Sequence, residues 1–385
     1  MTSSALTRPG QRERLPVKLG EIDWRLAGFI LVIAGVGAMM LYSIAGGSWE
    51  PWAAKHLLRF FACFLVMLAL ALVDIRVWMT IAYPVYGISL LLLIAVAIPH
   101  VGYTALGATR WLNLGFTRLQ PSEIMKVGLV LGLARYYHAA SARDAKFSWK
   151  LIIPLAMIGV PVLLVAHQPD LGTAMLLALT GLAVMFMAGL SWKIILTGLV
   201  SAAVAIPPFI LFVLHDYQRQ RILTFLNPEK DTSGSGYQIM QSLIALGSGG
   251  LLGKGYGLGT QSQLNFLPEK HTDLIFATVA EEFGFVGCVT VLLVYGLIIA
   301  TSLRIASLSH SHFGRLAAAG VTATFALYVL INGAMVMGLA PVVGVPMPLL
   351  SYGGTVMITV MIGFGLVQSV RVHRYMELPK GRGLF

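Results

Sequence analysis

The sequence predicts an all-α, polytopic membrane protein of about ten transmembrane helices, with a large ordered extracytoplasmic loop between the seventh and eighth. Three observations lead there. The 385 residues are 57% hydrophobic and 11% charged, with a mean hydropathy of +0.81. That is more apolar surface than a soluble domain can bury, so a soluble enzyme is excluded. The apolar residues fall in runs of roughly 20, the length that crosses a hydrocarbon core of about 30 Å, where only helices and closed barrels satisfy their backbone. The basic residues gather at alternate ends of these runs.

In chain order, residues 1–24 are polar, with Arg8, Arg12, Arg14 and Lys18. They read as an uncleaved, disordered cytoplasmic tail, because the apolar run that follows spans a bilayer without a small-residue cleavage pattern. The expected spans are 25–45, 57–73, 77–98, 122–138, 150–167, 171–189, 194–214, 274–303, 315–340 and 353–371. They form one transmembrane domain over 25–375, and 376–385 is a second cytoplasmic tail without functional signal. Ten crossings put both termini on one side. Of the 27 Lys and Arg residues, 17 fall on that side against 6 acids, while the opposite face balances 10 against 10. The excess marks the terminal side as cytoplasmic and makes the net charge of +11 a matter of topology, with no separate basic domain for nucleic acid.

Two outer loops exceed what a turn needs, 99–121 and 215–273. The second contains an amphipathic stretch, Tyr237 to Leu246, and then a glycine-spaced run to Gly259, which reads as compact structure near the membrane surface. That run is not a phosphate loop. A Walker pattern ending at Gly253-Lys254 would need Gly at 248 and Ser or Thr at 255, where the chain has Ser248 and Gly255. Cys63 and Cys288 sit in apolar runs, and the nine histidines form no H-x-x-x-H pair, so spacing offers neither a metal site nor a nucleophile triad.

Ionisable residues near spanning helices are costly unless paired or facing a cavity, and four clusters qualify. Arg110-Trp111 leads into Gln120-Pro121-Ser122-Glu123-Ile124-Met125-Lys126, where Pro121 opens a helix and Glu123 and Lys126 can pair at i, i+3. His167-Gln168-Pro169-Asp170 is a turn whose acid can cap the next helix. Arg219 and Arg221 sit at headgroup level, as an interfacial anchor or a phosphate fork. In Pro268-Glu269-Lys270-His271-Thr272-Asp273, Thr272 can cap the eighth span with Asp273 near its first residue. Asp273 there is either a cap partner or a reacting base facing a cavity, kept ionised by Lys270 and His271. Farther along, Glu281 lies about 80° around the helix from Asp273 and Glu282 about opposite, so these two are expected in buried pairs.

With these motifs in hand, the chain resembles the SEDS family of bacterial membrane proteins (shape, elongation, division, sporulation). The likeness runs from the first span to about residue 375. Its blocks include Gly107–Gly115, Leu119–Lys126, Gln168–Thr173, His215–Arg221, Gly236-Tyr237-Gln238, Gly253-Lys254-Gly255, Phe266–Asp273, Ala280-Glu281-Glu282 and Pro341–Gly354. Val342-Val343 stands where division-type members carry Thr-Lys, which fits the elongation type, and Leu274 replaces the common Phe.

The resemblance implies a peptidoglycan glycosyltransferase that polymerises lipid II at the outer leaflet, together with a class B penicillin-binding protein and the cell-elongation machinery. Asp273 matches the family's essential aspartate, which would take the proton of the acceptor's 4-hydroxyl as it attacks the donor's anomeric carbon. Arg110, Glu123, Lys126, Gln168, Asp170, Arg219, Arg221, Gln238, Lys270 and Ser351 are the candidate substrate-binding residues. The departing diphosphate asks for such cations or for a divalent metal ion, and spacing does not choose between them. A lipid II flippase or ion-coupled transporter is the competing class and a noncatalytic scaffold a third, although the motif residues cluster on the outer face.

Overall fold

The computed structural model describes residues 15–98, 102–105, 108–113, 118–140, 149–194, 196–198, 200–201, 224–225, 227 and 234–379. A short helix α1 (Leu15–Glu21) precedes α2 (Trp24–Ile44), α3 (Ala53–Ala71) and α4 (Ile75–Ala97). Asp23 caps α2, accepting from Arg25 and Leu26 N–H at 3.1 and 3.3 Å, and Asp74 caps α4 through Arg76 N–H at 2.8 Å. After α5 (Pro121–Ala139) come α6 (Ile152–His167), α7 (Leu171–Met187), α8 (Ser235–Gly249) and the single turn α9 (Thr260–Gln263). The chain ends with α10 (Ile275–Leu308), α11 (His312–Val336) and α12 (Gly354–Val372).

Six of these, α2, α3, α4, α10, α11 and α12, are long and apolar enough to cross a membrane, and α6 and α7 are shorter apolar helices. Helix α5 occupies the expected fourth span but carries Glu123, Lys126 and Arg135 within 19 residues. Of the seventh span expected at 194–214, residues 194, 196–198 and 200–201 are helical, and the remainder lies outside the described residues.

The first outer loop corrects the all-α expectation. It forms a three-stranded antiparallel sheet, β1 (Gly102–Ala105), β2 (Ala108–Asn113) and β3 (Arg118–Leu119), in the order β1-β2-β3. Gly102 pairs with Leu112, Tyr103 with Trp111, and Leu112 with Leu119. The strands are too short for alternation to show in sequence.

Helix α12 packs along α3, α4 along α5 and α10 along α11. Small residues allow the close approaches: a β-carbon on Gly128 would sit 2.8 Å from Ser89 Oγ, and one on Gly365 would sit 2.7 Å from Leu70 Cβ. The first and last described helices meet, with Lys18 Nζ 2.9 Å from His373 Nε2 and Arg374, just after α12, paired to Glu21 at 2.6 Å.

Helix α10 is broken at Gly284 (φ 64°, ψ −159°) rather than running as one straight span. The glycine run after α8 fills the break. Lys254 and Gly255 N–H donate to the carbonyls of Glu281 and Glu282, each at 3.0 Å. In return Phe285 and Val286 N–H donate to Gly250 and Leu251 carbonyls at 2.9 and 3.1 Å. Backbone groups freed by the break thus find partners, as they must in an apolar setting.

Candidate active site

Asp273 lies in the turn just before α10 and is half-buried. The expected cap does not form, because Thr272 Oγ1 is held by Glu269, at 3.2 Å from its carbonyl and 2.8 Å from Oε2, and α10 starts only at Ile275, with Leu274 in the cap position. The turn is pinned from α11: Asn332 Nδ2 donates to the Asp273 carbonyl at 2.8 Å and to the Val345 carbonyl at 2.7 Å. Gly344 (φ +69°) lies beneath the carboxylate, so a β-carbon there would stand 3.6 Å from Asp273 Oδ2. The segment before α12 therefore supplies a floor without side chain at a position whose left-handed backbone favours glycine.

The same segment meets the second cluster, since a β-carbon on Gly172 would come 2.5 Å from the Val343 carbonyl. This seats the start of α7 beside the Asp273 floor. Asp170 caps α7, accepting from Thr173 N–H at 3.2 Å, while its Oδ2 lies 3.4 Å from Gln120 Nε2 and 3.8 Å from Arg110 Nε. Arg110, on β2, also donates to the carbonyls of Gln168, at 3.4 Å, and Pro169. Gln168 points the other way, donating to the Leu93 carbonyl at 2.9 Å.

Glu123 and Lys126 form the expected pair at 2.6 Å, both buried, and Tyr328 of α11 completes it with its hydroxyl 2.9 and 3.1 Å from the Glu123 oxygens and within reach of Lys126 Nζ. Helix α11 thus serves both clusters from one face, since Tyr328 and Asn332 are four residues apart.

Lys270 does not flank the carboxylate as a free cation. Its ammonium is buried and donates to the Ser262 carbonyl and, at 2.8 Å, to Asn265 Oδ1, and burial lowers its pKa. Ser262 is itself held, because Glu281, wholly buried, accepts from Gln261 and Ser262 N–H at 2.9 and 3.2 Å while pairing with Lys254 at 2.7 Å. Lys270 is thus the last strut of a chain running from Lys254 through Glu281 and Ser262 toward the Asp273 turn. Glu282 accepts from Ser43 Oγ. Burial pushes the His271 imidazole below its usual pKa, with the Glu269 carboxylate opposing.

Ser351 is buried, its Oγ accepting from Met347 N–H at 2.9 Å, and Gln238 is half-buried on α8. Arg219 and Arg221 lie outside the described residues. Among the described residues no three His, Cys, Asp or Glu side chains gather as a metal-binding group. Sequence reasoning missed Asn332, Tyr328 and Gly344. The first two were detectable as polar groups inside an apolar span, spaced to share a face.

Fold and site together define a multi-helix membrane protein that holds a half-buried carboxylate and an anchored arginine on two sides of one loop. Comparison with known proteins sharpens the class. The family described as cell cycle protein, FtsW/RodA/SpoVE, matches residues 23–376, and the chain belongs to it. The peptidoglycan glycosyltransferase MrdB of Escherichia coli K12 is 48% identical over 311 residues, covering 81% of this chain and 83% of that protein. The structure of the Thermus thermophilus rod shape determining protein RodA is similar with a TM-score of 0.67 and 30% identity, covering 92% of this chain and 98% of that one. A chain from a peptidoglycan synthase complex, described as coordinating polymerization and crosslinking, has a TM-score of 0.78 and 34% identity, with 92% and 99% covered.

Proposed function

We propose that this chain is a peptidoglycan glycosyltransferase that polymerises lipid II at the outer face of the bacterial cytoplasmic membrane during elongation, acting with a class B penicillin-binding protein. The observation that carries the reading is the seating of Asp273: a half-buried carboxylate held by its own backbone through Asn332, over the bare floor of Gly344. A base must be fixed in place yet reachable by the hydroxyl it deprotonates, and this arrangement supplies both conditions.

In this reading Asp273 accepts the proton of the acceptor's 4-hydroxyl as that oxygen attacks the donor's anomeric carbon and the polyprenyl diphosphate leaves. An α-linked donor going to a β-linked glycan inverts, so one displacement and one base suffice without a covalent intermediate. Arg110, held by Asp170 and the Gln168 and Pro169 carbonyls, is the cation that this reading assigns to the developing negative charge. Glu123 and Lys126, paired beneath the Tyr328 hydroxyl, are assigned to substrate binding in the same reading. Arg219, Arg221, Gln238, Lys270 and Ser351 remain assigned to substrate binding or to its support.

The same reading has ten crossings with both termini in the cytoplasm. The contacts of Lys18 and Glu21 with His373 and Arg374 agree with an even number, since they bring both ends of the described chain together. The basic bias of the terminal side gives the orientation.

The test is Asp273→Asn in purified protein with its partner. Glycan chains from labelled lipid II are expected to disappear, while detergent-solution melting and membrane insertion stay unchanged. Retained polymerisation removes Asp273 from this role, and lipid scrambling without glycan product favours a flippase.

A further inference from the structure

Trp52, just before α3, lies flat on the His271 ring, with centroids 4.8 Å apart and planes at 19°. The Tyr352 ring is 6.3 Å from His271, and Tyr352 N–H donates to the His271 carbonyl at 2.8 Å. On the Tyr352 ring rests the guanidinium of Arg59, its central carbon 4.9 Å from the centroid. A β-carbon on Gly354 would stand 3.4 Å from Arg59 Nη1, so the charged group lies against backbone without side chain. The column therefore runs from Arg59 to a residue two positions from Asp273. Arg59 is exposed, and among the described residues no carboxylate comes within 4.0 Å of it.

A guanidinium whose face is spent on an aromatic ring keeps its edge N–H groups, in a rigid fork that matches two oxygens of a phosphate. Stacking also removes much of the rotamer freedom that binding would otherwise cost. We propose that Arg59 is a phosphate-binding residue at the rim of the Asp273 site, holding the diphosphate of the polyprenyl-linked sugar with Tyr352 as its backing. This inference rests on the glycosyltransferase reading for its substrate. An ordinary phospholipid headgroup offers the same phosphate chemistry, so the test must separate the two sources.

The experiment uses the full chain with its penicillin-binding partner in nanodiscs of either phosphatidylcholine alone or phosphatidylcholine with phosphatidylglycerol. Undecaprenyl diphosphate is the binding probe, and lipid II turnover and thermal melting are measured on the same preparations. Arg59→Gln is expected to weaken probe binding and raise KM by at least about tenfold, with kcat within about threefold and melting unchanged, while Arg59→Lys falls between. Lys55→Gln, which removes another exposed cation, paired to Glu50 at 3.4 Å, is the control and should change neither. Unchanged probe binding in Arg59→Gln overturns the inference. So does a loss confined to kcat with lowered melting, which makes Arg59 a strut, or a loss seen only with phosphatidylglycerol present, which assigns it to bulk lipid. If the parent chain binds the probe through Arg59 but makes no glycan, the glycosyltransferase reading fails and the diphosphate site stands.

Discussion

Asn332 gives both hydrogens of its side-chain amide to main-chain carbonyls, one of Asp273 at 2.8 Å and one of Val345 at 2.7 Å, and so ties the turn bearing the carboxylate to the loop that floors it. It is completely buried, so both bonds form away from competing water. Asn332→Ala removes both of these bonds and frees the turn from the loop. A displacement of about 1 Å at a reacting group costs on the order of 100-fold. The expected result is a fall in kcat of about 10- to 100-fold with KM within about threefold, while the diphosphate probe still binds. Steady-state kinetics on lipid II check it, and an equal rise in KM would place Asn332 in substrate binding instead.

The Glu123, Lys126 and Tyr328 group invites a double substitution. Removing one charge of a buried pair strands the other at a cost of about 3–5 kcal/mol, whereas replacing both by apolar groups of similar size is often close to neutral. Glu123→Gln and Lys126→Met are each expected to lower the melting temperature of the purified protein, and Glu123→Leu with Lys126→Met should recover most of the loss. If the group serves turnover as well as packing, the double variant recovers stability without recovering glycan synthesis.

Much of this architecture was legible because the bilayer writes helices into sequence as long apolar runs. The expected spans at 122–138 and 315–340 coincide with α5 and α11 to within a few residues, and the capping carboxylate at Asp170 and the Glu123–Lys126 pair follow from local rules about helix starts and i, i+3 spacing. The break at Gly284 was not legible. Nothing local distinguishes that glycine from Gly287 or Gly296 in the same helix; what breaks the helix is a distant loop supplying hydrogen-bond partners at that level. The direction of Lys270 was hidden for the same reason, since its partners Ser262 and Asn265 depend on how the preceding loop folds.

His271 introduces a pH dependence whose sign is fixed by its burial. Its folded pKa lies below the ordinary 6.5, because the half-buried ring resists the imidazolium form. The unfolded chain therefore takes up the proton more readily. The stability supplied by the neutral stacked ring is complete above about pH 6.5 and is lost as pH falls through the lowered folded value. Melting temperature is expected to drop by a few degrees on acidification through this window, and His271→Phe, which keeps a ring on Trp52, should remove that part of the drop. An unchanged acid limb in His271→Phe would assign the dependence to other groups.

Gly253 offers the sharpest test of how the glycine run supports the site. Its φ of +81° is left-handed, and a β-carbon there would run into the carbonyl of Glu282, so alanine meets both backbone strain and a clash with main chain that cannot swing aside. Gly253→Ala is therefore expected to push the loop off the break in α10 and to weaken the four backbone bonds that Lys254, Gly255, Phe285 and Val286 make there. With Lys254 displaced, Glu281 loses its cation, and the hold on Ser262 and hence on Lys270 loosens up to the Asp273 turn. The outcome is new protease cleavage between residues 250 and 263 together with a loss of polymerisation of at least about tenfold, although residue 253 touches no reacting group. Gly247→Ala is the comparison: a β-carbon there meets nothing within 4 Å, so cleavage and activity should stay at the parent level. Equal behaviour of the two variants would show that the loop's docking on α10 is not what holds the carboxylate in place.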